Sequence, residues 1–316
     1  MKFRTEIQIP QGNFSISHKE RIMTIGSCFA ENISCRMIDA GFRVDSNPFG
    51  ILYNPISISN ALQDLLFRTE FTETDLFEFN GLFQSFSHHG KFSGVNKEKV
   101  LHGINKQLQL SSKFIRNTQY LIVTFGTAKA YRLSNGKIVA NCHKLPDYYF
   151  SHELLSLNDI VQQWHQTIQH LRSFNPKLKI LFTVSPIRHW KDGAEENQVS
   201  KSILFLAIHE LRRWLEDIYY FPAYELMMDD LRDYRFYAED MLHPSSQAIQ
   251  YIWEKFGETY FTTETKTLIK EWTAIQRSLN HRPFNEDSIE HKSFLQKTME
   301  KKERFLELHP EFISPQ

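Results

Sequence analysis

The sequence predicts an α/β protein with a central parallel sheet and helices on both faces of that sheet. Short apolar runs alternate with longer amphipathic stretches, and several runs end at a glycine or at a serine-proline pair. No period of roughly 20 to 50 residues repeats, which excludes solenoids and propellers. Parallel sheets bind ligands beyond the carboxyl ends of their strands, so the residues after each apolar run are the candidates for a functional site.

The elements follow in order along the chain. The apolar runs predict strands at 21–25, 42–44, 120–125, 178–184 and 218–223. The amphipathic stretches predict helices at 29–40, 157–173, 198–216 and 246–256. Two stretches interrupt the alternation: the phenylalanine-rich segment 70–99 predicts an inserted hairpin or lid, and 285–307 predicts a charged C-terminal helix. We therefore expect an α/β domain over 1–265, with an insertion at about 70–99, and a helical extension over 266–316.

Composition excludes several classes of partner. The 316 residues carry 37 Lys and Arg against 37 Asp and Glu, and no basic block exceeds two residues, so we expect no nucleic-acid partner. No apolar run approaches the roughly 20 residues that span a bilayer, so no membrane partner is expected either. The odd cysteine count, three, argues against a disulfide framework and fits a reducing cytoplasm. The oligomeric state stays open.

The first candidate site is the turn after the first predicted strand, where Ser27 and Cys28 follow Gly26 and begin a helix. The free N–H groups and the dipole at a helix N-terminus suit a nucleophile, and they can also hold an oxyanion. A thiol at this position is expected to have a lowered pKa. The alternative is structural: Ser27 is an ordinary N-cap and Cys28 is a small buried hydrophobe.

The second candidate site follows the last predicted strand, where Asp240 precedes His243 by three residues. A carboxylate at this spacing can fold back onto one imidazole nitrogen and leave the other free to take a proton from a nucleophile. Pro244 then opens the next helix, so the pair lies on a loop. The structural alternative is an N-capping aspartate beside an incidental surface histidine.

Together the two features resemble the first and last blocks of the SGNH/GDSL hydrolase superfamily. More narrowly, residues 26–30 read Gly-Ser-Cys-Phe-Ala, the motif that names the GSCFA family, a bacterial family related to those hydrolases. Further segments similar to that family are 47–55, 124–128, 141–144, 184–189 and 240–245. The resemblance covers about residues 20–260. It implies a flavodoxin-like three-layer sandwich with an SGNH-hydrolase-like ester site, and it does not supply a substrate.

The chain departs from the superfamily at the nucleophile. Aligned by its glycine, the superfamily pattern Gly-Asp-Ser falls on Gly26, Ser27 and Cys28. The resemblance then places Cys28 at the nucleophile position, with Ser27 as the alternative after a shift of one residue.

A second departure concerns the oxyanion donors. The hydrolase block Gly-x-Asn-Asp reads Gly126, Thr127, Ala128 and Lys129 here, so the side-chain amide that would donate to the oxyanion is missing. Thr127 or a backbone N–H of the Gly126 turn must serve instead, and Gly50 is expected to supply another backbone N–H. The loss of one such donor costs about 2.7–4 kcal/mol.

Four further residues are predicted to bind substrate. Arg188 and His189 end a predicted strand, and the Arg188 guanidinium suits a carboxylate or phosphate, although a surface salt bridge is equally compatible. His143 is expected at the mouth of the same site, with a structural histidine as the alternative. Asn47 belongs to the family-like segment 47–55.

No metal or cofactor is expected. The pairs His88-His89 and Cys142-His143 supply ligand types, but adjacent side chains seldom share a metal ion. Motifs for zinc, dinucleotides and P-loop nucleotides do not occur in the sequence.

The resulting hypothesis is an SGNH-like hydrolase or acyltransferase that acts on an acyl ester, with His243 and Asp240 activating Cys28 or Ser27. A carbohydrate ester is a candidate substrate because aromatic rings stack on sugar faces. One alternative is a non-catalytic module that binds a small molecule or a protein. Another is a thiol redox role for Cys28, which requires Cys142 as a resolving cysteine.

Overall fold

The structure is a computed structural model that describes residues 4–281, 284–285 and 288–313. Its strands are β1 Arg21–Gly26, β2 Arg43–Ser46, β3 Phe77–Phe79, β4 Leu82–Gln84, β5 Tyr120–Phe125, β6 Lys129–Leu133, β7 Ile138–Val139, β8 Phe150–Leu154, β9 Lys179–Val184 and β10 Ile218–Tyr220. Its α-helices are α1 Cys28–Asp39, α2 Pro55–Phe67, α3 Lys97–Ile115, α4 Leu157–Phe174, α5 Ala194–Trp214, α6 Ala223–Glu225, α7 Ser246–Tyr260, α8 Thr263–Leu279 and α9 Ile289–Leu308. A π-helical turn, Leu226–Asp230, continues α6.

The central sheet is parallel, with the strand order β2, β1, β5, β9, β10. Numbered within the sheet, this is the 2-1-3-4-5 order of flavodoxin-like folds. Helices α2 to α5 pack on one face and α1 and α7 on the other. The predicted α/β fold, with three layers around a parallel sheet, is confirmed.

Strand β5 shows why the central strands read as continuous apolar runs. Leu121, Val123 and Phe125 pack in the core beneath α2 to α5, whereas Tyr120 and Ile122 pack in the core beneath α1 and α7. Alternate residues of a strand point to opposite faces, and both faces are covered here, so every position favours an apolar side chain.

The segment 70–99 contains the antiparallel hairpin formed by β3 and β4. Several of its rings are part of the core. Phe71 is fully buried in the larger core, and His88 stacks on Phe49 with ring centroids 4.5 Å apart. A second insertion, which the sequence pattern did not predict, is the three-stranded antiparallel sheet in the order β7, β6, β8.

The C-terminal helices pack against the end of α1. The indole N–H of Trp272 donates to the carbonyl of Asp39, and the backbone N–H of Ile313 donates to that of Gly41, both at about the usual length (3.0 and 2.8 Å). The ring of Phe312 lies where a side chain at Gly41 would project.

The predicted division between 1–265 and 266–316 stays a prediction. Of these ranges, residues 1–3, 282–283, 286–287 and 314–316 lie outside the described residues. Within the described part of the chain, no helix combines the length and apolar character needed to cross a membrane.

Candidate functional site

The first part of the site is the turn that leaves β1. Gly26 has a φ of +139°, and a Cβ at this position would lie 2.1 Å from the carbonyl oxygen of Thr124 on the neighbouring strand β5. Only glycine fits so close to the next strand. This close approach sends the chain directly from β1 into α1 and sets Ser27 and Cys28 at the carboxyl edge of the sheet.

Ser27 is the N-cap of α1. Its hydroxyl oxygen accepts a hydrogen bond from the backbone N–H of Phe29 at 3.3 Å, and its own N–H donates to the carbonyl of Thr124. The residue is only 1% exposed. These contacts are those of the structural alternative for Ser27, a buried helix cap.

Cys28 is the first residue of α1 and is partly buried. Burial raises the pKa of its thiol, and this effect outweighs the backbone N–H groups of Cys28 and Phe29, which lower it. Glu31 raises the same pKa and Lys201 lowers it. The expected lowering of this pKa by the helix N-terminus is therefore wrong, because desolvation of the thiolate is the larger effect.

The second part of the site is the loop that carries Asp240 and His243. One carboxylate oxygen of Asp240 accepts the backbone N–H groups of Leu242 and His243, both at 2.9 Å, and the other lies 2.5 Å from imidazole Nδ1. The two backbone N–H groups are the main cause that lowers the pKa of Asp240 to about 2. A ring that donates from Nδ1 leaves Nε2 free to act as a base.

This loop is open to solvent, with side-chain exposures of 50% for His243 and 48% for Asp240. The loop lies near His189, which follows β9 at the edge of the sheet. The charge of His243 is one of the causes that lower the pKa of His189. Within the described part of the chain, no hydrogen bond joins His243 to Ser27 or Cys28.

The backbone donors expected for an oxyanion are already engaged. The N–H of Gly50 donates to the carbonyl of Asn47 at 2.7 Å, and those of Gly126 and Thr127 both donate to the carbonyl of Tyr53, at 2.8 and 3.1 Å. These bonds conflict with the expected donor role of the three N–H groups. Gly50 closes a local turn, whereas the N–H groups of Gly126 and Thr127 are engaged because the segment before α2 passes over the end of β5.

The Thr127 side chain is engaged as well. Its hydroxyl is 2.9 Å from that of Ser200 and accepts the backbone N–H of Lys129 at 3.0 Å. Ala128, at the position where the resemblance expects an amide, is fully buried.

Asn47 lies directly against the turn after β1. Its side-chain oxygen accepts the backbone N–H of Gly26 at 2.9 Å, and its backbone has a φ of +44°, which is uncommon for a non-glycine residue. The amide nitrogen Nδ2 is buried and has no hydrogen-bond partner. The backbone N–H of Cys28 contacts only its own thiol among the described residues. Asn47 Nδ2 is therefore an unpaired donor beside the turn.

Lys201, on α5, was not predicted as a site residue. It is fully buried, and its ammonium group donates to the carbonyls of Gly126 and Ser185 at 2.7 and 2.8 Å. Its pKa is lowered to about 7, mainly by burial; Cys28 raises this pKa and the charge of Arg188 lowers it. A sequence signal for its burial exists: Lys201 lies three residues before Leu204, which places both on the buried face of α5.

The two remaining histidines differ in their surroundings. His143 is buried, and its Nε2 lies 2.8 Å from the carbonyl of Ser85, so it is a satisfied structural histidine and does not line the mouth of the site. His189 lies edge-on to the ring of Tyr53, with centroids 5.4 Å apart. Burial is the main cause that lowers the pKa of His189 to about 4.

Residues 188–190 separate two cavities at this edge of the sheet. A cavity of about 730 Å³ is lined by Arg188, Trp190 and Asp240, among others. A cavity of about 490 Å³ is lined by Tyr53 and His189, among others, and by parts of the β6 to β8 sheet. The described residues include no group of three or more His, Cys, Asp or Glu side chains placed to hold a metal ion.

The strand order and the position of these residues define an α/β protein of the flavodoxin-like class with its candidate site at the carboxyl edge of the sheet. The chain matches the GSCFA family over residues 21–256 and the C-terminal domain of GSCFA domain proteins over 272–313. It belongs to the GSCFA family.

Solved structures with some similarity include three esterases. A family 3 carbohydrate esterase from Clostridium thermocellum has 11% identity and a TM-score of 0.34, covering 79% of this chain and 97% of its own. A carbohydrate esterase of family 3 from Talaromyces cellulolyticus has 8% identity and a TM-score of 0.35, covering 80% and 99%. The acetyl xylan esterase Est2A from Butyrivibrio proteoclasticus has 10% identity and a TM-score of 0.38, covering 76% and 63%. Because all three TM-scores are below 0.5, we draw no conclusion from them.

The proteins with curated descriptions include none that matches this sequence.

Proposed function

We propose that this protein cleaves acyl esters, or transfers their acyl groups, with Cys28 as nucleophile, His243 as general base and Asp240 orienting His243. The observation that carries the proposal is the Asp240–His243 pair, 2.5 Å between carboxylate and Nδ1, at the same sheet edge as the turn that bears Cys28. A carboxylate–imidazole pair beside a thiol is the arrangement that nucleophilic acyl transfer requires.

Cys28 is favoured over Ser27 as the nucleophile because of their contacts. The Ser27 hydroxyl is buried and already accepts a hydrogen bond as a helix cap, so attack would cost that bond. The Cys28 thiol makes no hydrogen bond to another described side chain and is only partly buried.

In the proposed reaction, His243 Nε2 takes the thiol proton as Sγ bonds to the ester carbonyl carbon. The tetrahedral intermediate collapses, the C–O bond to the alcohol breaks, and the alcohol leaves with the proton from His243. A thioester on Cys28 remains. Water, or an acceptor hydroxyl, then attacks the thioester with His243 again as base, which releases the acid or a new ester and restores the thiol. The raised pKa of Cys28 favours proton removal by His243 during the attack.

The oxyanion of the tetrahedral intermediate is proposed to accept from the backbone N–H of Cys28 and from Nδ2 of Asn47. Asn47 Nδ2 lacks a partner, and the bond from Gly26 to the Asn47 side-chain oxygen holds the amide against the turn. The Cys28 N–H contacts only its own thiol, the group that attacks the carbonyl carbon. Asn47 would thus replace the amide that Ala128 lacks. A donor held in place before the reaction stabilises the transition state without reorganisation.

The proposed substrate class is an acylated carbohydrate or similar small molecule. The larger cavity beside Asp240 has aromatic walls, including the exposed rings of Trp190 and Tyr234, and such rings stack on sugar faces. The proposed location is the cytoplasm, because Cys28, Cys35 and Cys142 are all free thiols.

A non-catalytic binding module is the second candidate function. The raised pKa of Cys28 and the lack of a hydrogen bond from His243 to Cys28 favour it. In this case the same cavities bind a ligand that is not turned over.

The test is a panel of short-chain acyl esters assayed with the wild-type protein and with Ser27→Ala, Cys28→Ala and His243→Ala. We expect turnover by the wild type and Ser27→Ala, and none by the other two. A thioester on Cys28, trapped by acid quench, detected by mass spectrometry and released by hydroxylamine, would identify the intermediate. Equal activity in all four proteins rejects the proposal, and loss in Ser27→Ala with activity retained in Cys28→Ala makes Ser27 the nucleophile.

A further inference from the structure

The larger cavity has the size of a small-molecule site and a mixed wall. Its volume of about 730 Å³ falls within the range of ligand pockets in proteins. Aromatic side chains supply much of the apolar surface. They are Trp190, Tyr224, Tyr234 and Tyr237. Asp240 lines the same cavity, so a molecule bound here lies beside the proposed catalytic loop.

The carboxylates that line this cavity all have partners within the protein. The pairs are Asp229 with Arg232 at 2.6 Å, Asp233 with Arg235 at 2.8 Å and Asp240 with His243 at 2.5 Å. Arginines offset the charges of Asp229 and Asp233, and Asp240 is bound to the imidazole of the proposed base. None of these acids pairs with Arg188.

Arg188 is the lining cation whose charge is not offset. Within the described part of the chain no carboxylate forms a salt bridge with it, and its buried Nε has no hydrogen-bond partner. The guanidinium carbon lies 5.0 Å from the centroid of the Trp190 ring, and the guanidinium also contacts the Tyr224 hydroxyl. Both partners are neutral, so neither supplies the anion. A half-buried guanidinium without an anion is costly unless a ligand supplies one.

The charge of Arg188 affects the pKa values of two tyrosines in the cavity wall. Burial raises the pKa of the Tyr224 and Tyr237 phenols, and the guanidinium lowers both pKa values against that effect. Arg188 therefore lies close enough to act on the aromatic surface where a ligand would lie, while Asp229 acts on Tyr224 in the opposite sense. The formal net charge of the chain is zero, so attraction of an anion has to come from Arg188 itself.

We infer that this cavity binds the alcohol part of the substrate, and that Arg188 pairs with a carboxylate or phosphate group on it. The inference rests on the proposed function only in calling the bound molecule a substrate. Binding of an anion by Arg188 does not depend on turnover. The guanidinium offers two parallel N–H donors that match two oxygens of either anion. The ring or sugar that carries the anion packs on Trp190 and the tyrosines. The substrate class is thus an ester of an anionic alcohol.

The binding test uses benzoate, phenyl phosphate and benzamide as probes of the full-length protein in isothermal titration calorimetry. We expect binding of at least one of the two anions and much weaker binding of benzamide, and the tighter anion identifies the preferred group. Arg188→Gln is expected to weaken anion binding about ten- to hundredfold, and Arg188→Lys by an intermediate factor. Benzamide that binds as tightly as the anions, or an unchanged affinity in Arg188→Gln, overturns the inference.

Arg232→Lys is the matched control for these variants. It also changes an arginine of this cavity to lysine, but Arg232 is already paired with Asp229. We expect its affinity for the anions to stay within about twofold of the wild type. A loss as large as that of Arg188→Lys would show that anion binding does not depend on Arg188 in particular. This result would overturn the assignment to Arg188. Circular dichroism checks that each variant is folded.

A kinetic arm separates this inference from the proposed function. The substrates are 4-acetoxybenzoate and its neutral methyl ester, which share the acetyl group. In Arg188→Gln, KM for the anionic ester is expected to rise about ten- to hundredfold with kcat retained, and the neutral ester should be unaffected. If neither ester is turned over but benzoate binds through Arg188, the proposed function fails and the anion site stands. If both esters are turned over alike by wild type and Arg188→Gln, the anion site fails and the esterase stands.

Discussion

The turn that carries Cys28 and the loop that carries His243 are built in opposite ways. The turn is buried: Gly26 is pressed against β5, Ser27 caps α1 and Asn47 holds the turn from the side. The loop is half exposed, and the bonds to the carboxylate of Asp240 that hold it come from within the loop itself. The core thus holds the proposed nucleophile, whereas the proposed base depends on a local structure that can shift without disturbing the fold.

This difference predicts which substitutions alter stability and which alter rate. Changes at the turn disturb strand packing and the start of a helix, so they lower the free energy of unfolding. Changes in the loop remove few buried contacts, so they affect chemistry and leave the fold intact. The proposed catalytic step needs His243 to approach Cys28, and the exposed loop is the side of the site that can move.

The largest effect is expected at the loop. His243→Ala removes the proposed base, so kcat/KM for a short-chain acyl ester should fall by a factor of about 10²–10⁴. The urea midpoint of unfolding should stay unchanged, because the side chain is half exposed. A large loss of stability in this variant would contradict the contrast between loop and turn. The measurements are steady-state kinetics and urea denaturation on the same preparation.

The next effect is expected at the turn. Gly26→Ala forces a Cβ to within 2.1 Å of a backbone oxygen at a φ of +139°, and we expect a loss of about 4 kcal/mol in the free energy of unfolding. Gly81→Ala is the matched control, since Gly81 has a φ of +72° but nothing within 4 Å of the added atom. Backbone strain alone should cost this control about 1 kcal/mol. Equal losses, measured by urea denaturation, would show that the contact with β5 is unimportant.

A pH-dependent change in the free energy of unfolding is expected from the buried Lys201. The pKa of Lys201 is lowered to about 7 from an ordinary 10.5, so the unfolded chain binds this proton more tightly than the folded chain. Folding stability due to Lys201 is therefore present above pH 10.5 and is lost as the pH falls toward 7. The stability of wild type relative to Lys201→Met should rise by about 1 kcal/mol per pH unit across this window. Urea denaturation at pH 7, 8 and 9 measures it, and a difference independent of pH would contradict the burial of a charged lysine.

The smallest effect compares the two helix caps of the site. Ser27 caps α1 and Ser245 caps α7, each by a hydrogen bond of 3.3 Å to a backbone N–H. Ser27→Ala and Ser245→Ala should each lower the free energy of unfolding by about 1 kcal/mol and leave kcat within a few-fold of the wild type. Loss of activity in Ser27→Ala alone would move the nucleophile to Ser27.

Much of the fold could be predicted because its signals are local. The run 120–125 is strand β5 without a shift, since a strand covered on both faces needs apolar residues at every position. Helix 246–256 was predicted within a turn of its observed end at Tyr260. Strands β6 and β8 were missed because they are short and rich in polar residues. Strand β7 is apolar and buried, but its two residues are too few to show a period.

The site could be predicted only in part. The pairing of Asp240 with His243 depends on three residues of local chain, and the structure brings the two side chains together as expected. The N–H groups of Gly126 and Thr127 are not free because the carbonyl of Tyr53 accepts both of them. This contact depends on how distant parts of the chain pack, so the local sequence does not reveal it. The pKa of Cys28 depends on burial against neighbours distant in sequence, which a helix N-terminus alone does not reveal.

The contact between Ile313 and Gly41 also bears on the order in which the chain is made. Helix α1 is synthesised early, but the carbonyl of Gly41 receives its hydrogen bond from a residue close to the last one described. Trp272, which donates to Asp39, is likewise late. During translation the carbonyls of Asp39 and Gly41 therefore stay without these two hydrogen bonds until Trp272 and Ile313 have left the ribosome. The end of α1 opposite Cys28 is thus completed by the part of the described chain that is made last.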